Sequence, residues 1–312
     1  MYNGFFNFHE EPFSLTPDPR FIYLGPGHQE ALEHMLYGVQ QRKGFVLIAG
    51  HIGAGKTTLT RLLMDQLEGQ VQTALIFNTF LNEIELLRAI NREFGLPAEG
   101  TSREALLQVL NGFLIELLQK GGNAVLILDE AQNLSVPVLE QIRMLSNLET
   151  DNRKLLQIVL VGQPELVRTL SRPDLAQLDQ RVTVRRYLSP LNREDTVRYI
   201  HHRLSVAGPR NLARFSPRAY RLIYRYSQGV PRNINALCDR ALLAAYAQGG
   251  HLITPALVRQ ARAELTGPAW TGQANGRLSR IRPSRLIPAA LIILGLILAI
   301  YLGYARTDGL FK

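Results

Sequence analysis

Between Gly50 and Thr57 the chain reads Gly-His-Ile-Gly-Ala-Gly-Lys-Thr. This is the spacing Gly-x-x-x-x-Gly-Lys-Thr, whose backbone N–H groups and following helix N-terminus face a polyphosphate. Gly50, Gly53 and Gly55 let the backbone approach phosphates with no Cβ in the way. His51, Ile52, Ala54 and Thr58 complete the loop and its exit. Lys56 would reach the β- and γ-phosphates as a point charge, and the Thr57 hydroxyl would take one Mg²⁺ position.

A second group of residues supplies hydrolytic chemistry. The run Ala124-Val-Leu-Ile-Leu ends in Asp129-Glu130. A buried strand would deliver Asp129 beside the loop to hold Mg²⁺ through water, and Glu130 would polarise the attacking water. Ile158-Val-Leu-Val-Gly162 ends in Gln163, whose amide could reach the γ-phosphate or that water; a turn-forming polar residue is the alternative. Arg181 precedes another apolar run and could enter a neighbour's site in a ring, with Arg185 and Arg186 as rivals. Gly229-Val-Pro-Arg232 opens a helix whose first turn could aim Arg232 back at the γ-phosphate.

These residues need a scaffold of alternating strands and helices. Strand-like runs fall at 45–49, 71–77, 124–129, 155–161 and 182–188, separated by helical spacing. That alternation predicts a five-stranded parallel sheet covered by helices on both faces. After residue 190 the strand signals stop, and 193–206, 217–227, 231–247 and 255–265 read as helices. Pro217, Pro231 and Pro255 each fall where a first helical turn tolerates proline.

The expected organisation is an N-terminal strap and helix over 1–42, an α/β nucleotide domain over 43–190 and a small helical lid over 191–265. A basic linker over 266–285, an apolar span over 286–304 and a short tail over 305–312 follow. The span Leu286–Tyr304 holds no charge, and as a helix it would cover roughly 28 Å, close to a bilayer core. Arg277, Arg280, Arg282 and Arg285 on its N-terminal side predict that residues 1–285 lie in the cytoplasm and the last eight outside. The first residues carry Glu10 and Glu11 and no apolar leader, so no signal peptide is expected.

Composition narrows the classes. The 312 residues have a formal net charge of +9, of which +4 falls in 1–266, +4 in 267–285 and +1 in 286–312. The globular part is only mildly basic, which is weak support for a nucleic-acid partner. The single cysteine, Cys238, excludes a disulfide framework or a cysteine-rich zinc site and reads as a buried thiol in a helix.

The order and spacing of the loop, Asp129-Glu130, Gln163, Arg181 and Arg232 resemble an AAA+ ATPase. They match Walker A, Walker B, sensor 1, arginine finger and sensor 2 in that order. Pro12-Phe-Ser-Leu-Thr-Pro-Asp-Pro-Arg20-Phe-Ile-Tyr-Leu, His28-Gln-Glu-Ala-Leu, Asp129-Glu-Ala-Gln-Asn-Leu and Gly162-Gln-Pro-Glu-Leu resemble the ExeA/GspA family more narrowly, over residues 1 to about 265. The resemblance implies an inner-membrane ATPase using ATP and Mg²⁺, a homo-oligomer that works with a GspB-like membrane partner on secretion or export machinery. Family members carry a peptidoglycan-binding region after the membrane helix. This sequence stops eight residues past its apolar span, so either the natural chain runs further or a partner does the periplasmic work, and direct peptidoglycan binding is not expected of these 312 residues alone. Two further readings stand beside this one: a DNA-directed AAA+ ATPase like transposition helpers, and a nucleotide-gated scaffold with little hydrolysis. The lack of an evident DNA-reading helix-turn-helix weighs against the first, and Glu130 weighs against the second.

Overall fold

A computed structural model describes residues 1–267, apart from 17, 70, 101, 151 and 152. Residues 1–265 form one compact unit.

The predicted sheet is present. Its strands are β1 (Phe45–Gly50), β2 (Gln72–Ile76), β3 (Ala124–Leu128), β4 (Leu156–Gly162) and β5 (Val182–Leu188). They pair in the order β2-β3-β4-β1-β5, every pair parallel. β1, β3 and β4 are buried along their whole length, which is why they read as unbroken apolar runs. β5 lies at an edge and alternates buried with exposed residues over most of its length.

A short helix α1 (Asn3–Phe6) opens the chain, and the helices around the sheet are α2 (Pro26–Gln40), α3 (Lys56–Leu67), α4 (Glu83–Glu93), α5 (Arg103–Gln119), α6 (Val136–Leu145), α7 (Pro164–Leu170) and α8 (Ala176–Arg181). The period of two along each strand splits the core into two layers. Val46, Ile48, Val125, Ile127, Val159 and Val161 face α2 and α3. Phe45, Leu47, Leu126, Leu128, Ile158 and Leu160 belong to the core built with α4 to α8. Asn82 starts α4 with a capping box, its side chain accepting from the Glu85 N–H while Glu85 reaches back to the Asn82 N–H.

Four further helices complete the unit: α9 (Arg193–Ala207), α10 (Pro217–Ser227), α11 (Pro231–Ala247) and α12 (Pro255–Thr266). Prolines open the last three, as the sequence predicts. Two strand pairs escape the sequence reading because each strand is two residues long. They are the antiparallel pair Glu149–Thr150 with Arg153–Lys154 and the parallel pair Arg214–Phe215 with Leu252–Ile253. The latter lies among the helices, where no strand was expected.

The sequence reading left the partners of the N-terminal strap open, and the structure supplies them. Tyr2, Phe6, Phe8, Phe13 and Phe21 are buried in one core with Tyr199, Ile223, Ile234 and Cys238 of the helical part. Backbone bonds tie it there, from the His9 N–H to the Ala207 carbonyl (2.8 Å) and from the Leu212 N–H to the Phe6 carbonyl (2.8 Å). Each buried phenylalanine contributes roughly 2 kcal/mol of transfer free energy.

The expectation of a single-pass inner-membrane protein is corrected. Among the described residues no helix is long and apolar enough to cross a membrane. The longest, α5 and α11, have 17 residues each and carry charges such as Glu116 and Asp239. Such a helix covers only about 25 Å, and each buries one side against protein. The 286–304 span to which the expectation was attached lies outside the described residues.

Candidate nucleotide site

In a parallel sheet all C-terminal strand ends share one edge, and ligands collect where the strand order reverses. Here that edge carries the end of β1 with the phosphate loop, the end of β3 with Asp129 and Glu130, and the end of β4 with Gln163. A cavity of about 420 Å³ opens there. Ile52, Gly53, Gly55, Lys56, Thr57 and Thr58 line it, and so do Glu130, Gln163 and Arg232.

The loop's backbone explains its glycines. Gly53 and Gly55 have φ of +76° and +98°, the left-handed region that side chains disfavour. A Cβ on Gly53 would sit 2.7 Å from Arg232 Cβ, so the loop also needs this glycine for close approach of α11. Gly55 caps α3 directly over His28. The His28 ring nitrogen Nε2 lies 2.9 Å from the Ala54 carbonyl, and burial pushes the His28 pKa down.

Lys56 is buried and folded back on the loop. Its Nζ donates to the carbonyls of Gly50 (3.0 Å) and His51 (3.2 Å). Burial lowers its pKa, opposed by the charges of Glu130, Asp129 and Glu165. Thr57 Oγ1 donates to Asp129 Oδ2 (2.9 Å), and the Glu130 N–H donates to Asp129 Oδ1 (2.8 Å). The Asp129 carboxyl is fully buried, which raises its pKa against those two hydrogen bonds. A hydroxyl and a carboxylate facing each other beside a phosphate loop form the oxygen donor set that Mg²⁺ prefers.

Glu130 has φ +53°, an unusual conformation for a residue with a side chain and a local strain of order 1–2 kcal/mol. The buried Thr79 hydroxyl donates to its carbonyl (3.0 Å) and holds the turn. Its carboxylate Oε2 accepts from Gln132 Nε2 (2.6 Å) and Gln163 Nε2 (3.3 Å). Gln163 therefore meets the Glu130 side chain directly.

Arg232 stands on the first turn of α11, exposed at the cavity rim, and its N–H points to the Gly53 carbonyl (3.4 Å). Arg181 is not brought to this cavity. It precedes β5, whose first residue pairs with Phe45 at the start of β1, so it sits at the opposite edge of the sheet. There its guanidinium donates to Ser146 Oγ. The rivals are also engaged, Arg185 with Asp179 (2.8 Å) and Arg186 with Glu30 (3.2 Å).

Several site residues carried no role in the sequence reading. Gln132 lies inside the quoted Asp129-Glu-Ala-Gln segment, but its partners become visible only when β3 and β4 are side by side. The strap forms one cavity wall with Phe21, Tyr23 and Leu24. The buried Arg203 of α9 fastens that strap, with Nε donating to the Pro12 carbonyl (2.5 Å) and an NH₂ group to that of Ser14 (3.3 Å). Arg203 also lies over the Phe21 ring at 4.8 Å.

Residues 39–170 match the family described as AAA domain. General secretion pathway protein A of Aeromonas hydrophila is 45% identical over 268 residues, which cover 86% of this chain and 49% of that protein. The chain thus spans about half the length of this relative. Among solved structures, the Aeropyrum pernix ORC2 protein in its ADPNP-ADP complexes superposes with a TM-score of 0.62 at 20% identity, covering 82% of this chain and 72% of that one. Cdc6p from Pyrobaculum aerophilum gives a TM-score of 0.62 at 21% identity, covering 81% and 70%. At such identities these two likenesses establish the fold alone.

Proposed function

We propose that the chain is an AAA+ ATPase similar to general secretion pathway protein A and that it hydrolyses Mg-ATP in the cavity at the phosphate loop to drive assembly or function of an envelope secretion or export complex. The observation that carries this reading is the convergence of Lys56, the Thr57–Asp129 pair, Glu130 and Gln163 on one sheet edge.

Lys56 exchanges the Gly50 and His51 carbonyls for β- and γ-phosphate oxygens, a better partner for an ammonium than two neutral carbonyls. The paired Thr57 hydroxyl and Asp129 carboxylate are the residues that would hold Mg²⁺. When bound, the ion would supply charge neutralisation on the phosphates. Glu130 accepts the proton of the attacking water through Oε1, because Oε2 already accepts two amide donors. The water oxygen bonds to the γ-phosphorus, the bond to the bridging oxygen breaks, and ADP leaves with that electron pair. Arg232 meets the γ-phosphate from α11 and so couples the helical part to nucleotide state. Arg181, at the far edge of its own sheet, serves a neighbouring subunit's site in a homo-oligomer. The family resemblance carried by the sequence motifs gives the chain a GspB-like membrane partner in this reading.

The test is steady-state phosphate release by the full chain. Glu130→Gln is expected to cut kcat about 100-fold or more while a fluorescent ATP analogue still binds, and Lys56→Ala is expected to lose that binding. Equal turnover by Glu130→Gln and the parent protein would refute the assigned base.

A further inference from the structure

Gln132 is the middle residue of a three-residue 3₁₀ turn, Ala131–Asn133, directly after the acid pair. Its carboxamide uses both ends. Nε2 donates to Glu130 Oε2 at 2.6 Å, and Oε1 accepts the backbone N–H of Gln163 at 3.0 Å. One side chain thus bridges the end of β3 to the end of β4, 31 residues apart. The Gln163 side chain adds a weaker donor to the same Glu130 oxygen (3.3 Å). The approach is close enough to constrain the neighbouring strand, because a Cβ on Gly162 would lie 3.0 Å from Gln132 Oε1 and 2.8 Å from Leu166 Cδ2. The glycine at the tip of β4 makes room for this amide.

We infer that Gln132 is the positioning residue for the Glu130 base: its amide fixes the carboxylate rotamer through Oε2 and leaves Oε1 as the oxygen that takes the proton from water. The inference rests on the assignment of Glu130 as base and adds the element that orients it. A carboxylate on a strained turn has two soft side-chain torsions beyond χ1, and a hydrogen-bonded bridge to a second strand removes that freedom. The bridge also explains how a shift of the β4 tip would be felt at the base. Gln163 cannot move its backbone without pulling the amide that holds Glu130.

Two substitutions separate this role from simple support of the turn. Gln132→Glu keeps an acceptor for the Gln163 N–H but replaces the donor to Glu130 with a repelling carboxylate. Gln132→Ala removes both bonds. Each full-length variant is assayed for kcat and KM with Mg-ATP, for affinity towards a fluorescent ATP analogue, and for its melting temperature. Both are expected to lose about 10-fold or more in kcat, with analogue affinity within about twofold of the parent. Adding Gln132→Glu to Glu130→Gln is expected to cost nothing further, because two residues acting through one group are not additive. Parent-like kcat in Gln132→Glu would overturn the inference and leave Gln132 as a turn support. A matched loss of kcat and nucleotide affinity would overturn it too. Parent-like turnover in Glu130→Gln would instead sink the base assignment itself, a result distinguishable from failure at Gln132 alone.

Discussion

Thr57 Oγ1 and Asp129 Oδ2 meet at 2.9 Å across 72 residues of chain, joining the helix after the phosphate loop to the end of a central strand. The carboxylate in this pair is fully buried and its pKa is raised by that burial. A carboxyl whose folded pKa lies above its unfolded value costs stability as pH rises through that interval, and the full cost remains above it. Asp129→Asn keeps an acceptor for the Glu130 N–H and offers Thr57 an amide donor. It is expected to melt no lower than the parent at pH 7.5, while Mg²⁺-dependent turnover falls about 100-fold or more. Calorimetry and phosphate release check the two halves separately.

The close contact of the loop with α11 makes a second prediction. Gly53→Ala adds a methyl group where φ is +76° and where Arg232 Cβ would be 2.7 Å away. The conformational strain is about 1–2 kcal/mol, and the overlap adds to it because both atoms sit next to backbone. Urea unfolding is expected to show that loss, and ATP-analogue affinity is expected to fall as α11 is displaced.

His28 supplies a pH dependence. Burial lowers its folded pKa below the usual histidine value, and His202 is lowered for the same reason. The unfolded chain then binds more protons in acid, so stability is complete above about pH 6.5. It is lost as pH falls through the depressed folded value. The parent melting temperature is expected to drop between pH 7.5 and 5.5, and His28→Asn is expected to flatten part of that slope. An unchanged slope would assign the acid sensitivity elsewhere.

The strap is held by an arginine that bonds to backbone carbonyls and a phenol. Arg203 donates to two strap carbonyls and to Tyr199 Oη (3.0 Å). Arg203→Ala would leave those carbonyls without their donor, at a cost of about 1–3 kcal/mol each. Limited proteolysis is expected to cut around residues 12–20 faster in the variant, with weaker nucleotide binding because that segment walls the cavity.

Much of this arrangement is legible in the chain. β1, β3 and β4 announce themselves because both their faces are buried, and the loop glycines and Asp129-Glu130 follow strands at fixed offsets. Arg232 could be placed because a proline marks the start of its helix. The strap was harder. Its phenylalanines have no period of their own, and their partners lie nearly 200 residues away, so nothing local distinguishes a buried arm from an exposed one. Gln132 sits beside two acids that absorb attention, and its second partner belongs to another strand. The two-residue strands are too short for any alternation to register.

The interlocking of residues 1–25 with the helices beyond 190 has a practical corollary for dissecting the molecule. The segment that matches the AAA domain family, 39–170, leaves out part of the sheet and part of the cavity lining. Cut out alone, it would lack the strap wall of the cavity, Arg232 and the edge strand β5 that pairs with β1. The smallest fragment with an intact interior must start ahead of the strap's buried phenylalanines and run through α12, so that the opening and the far end of the folded body are inherited together.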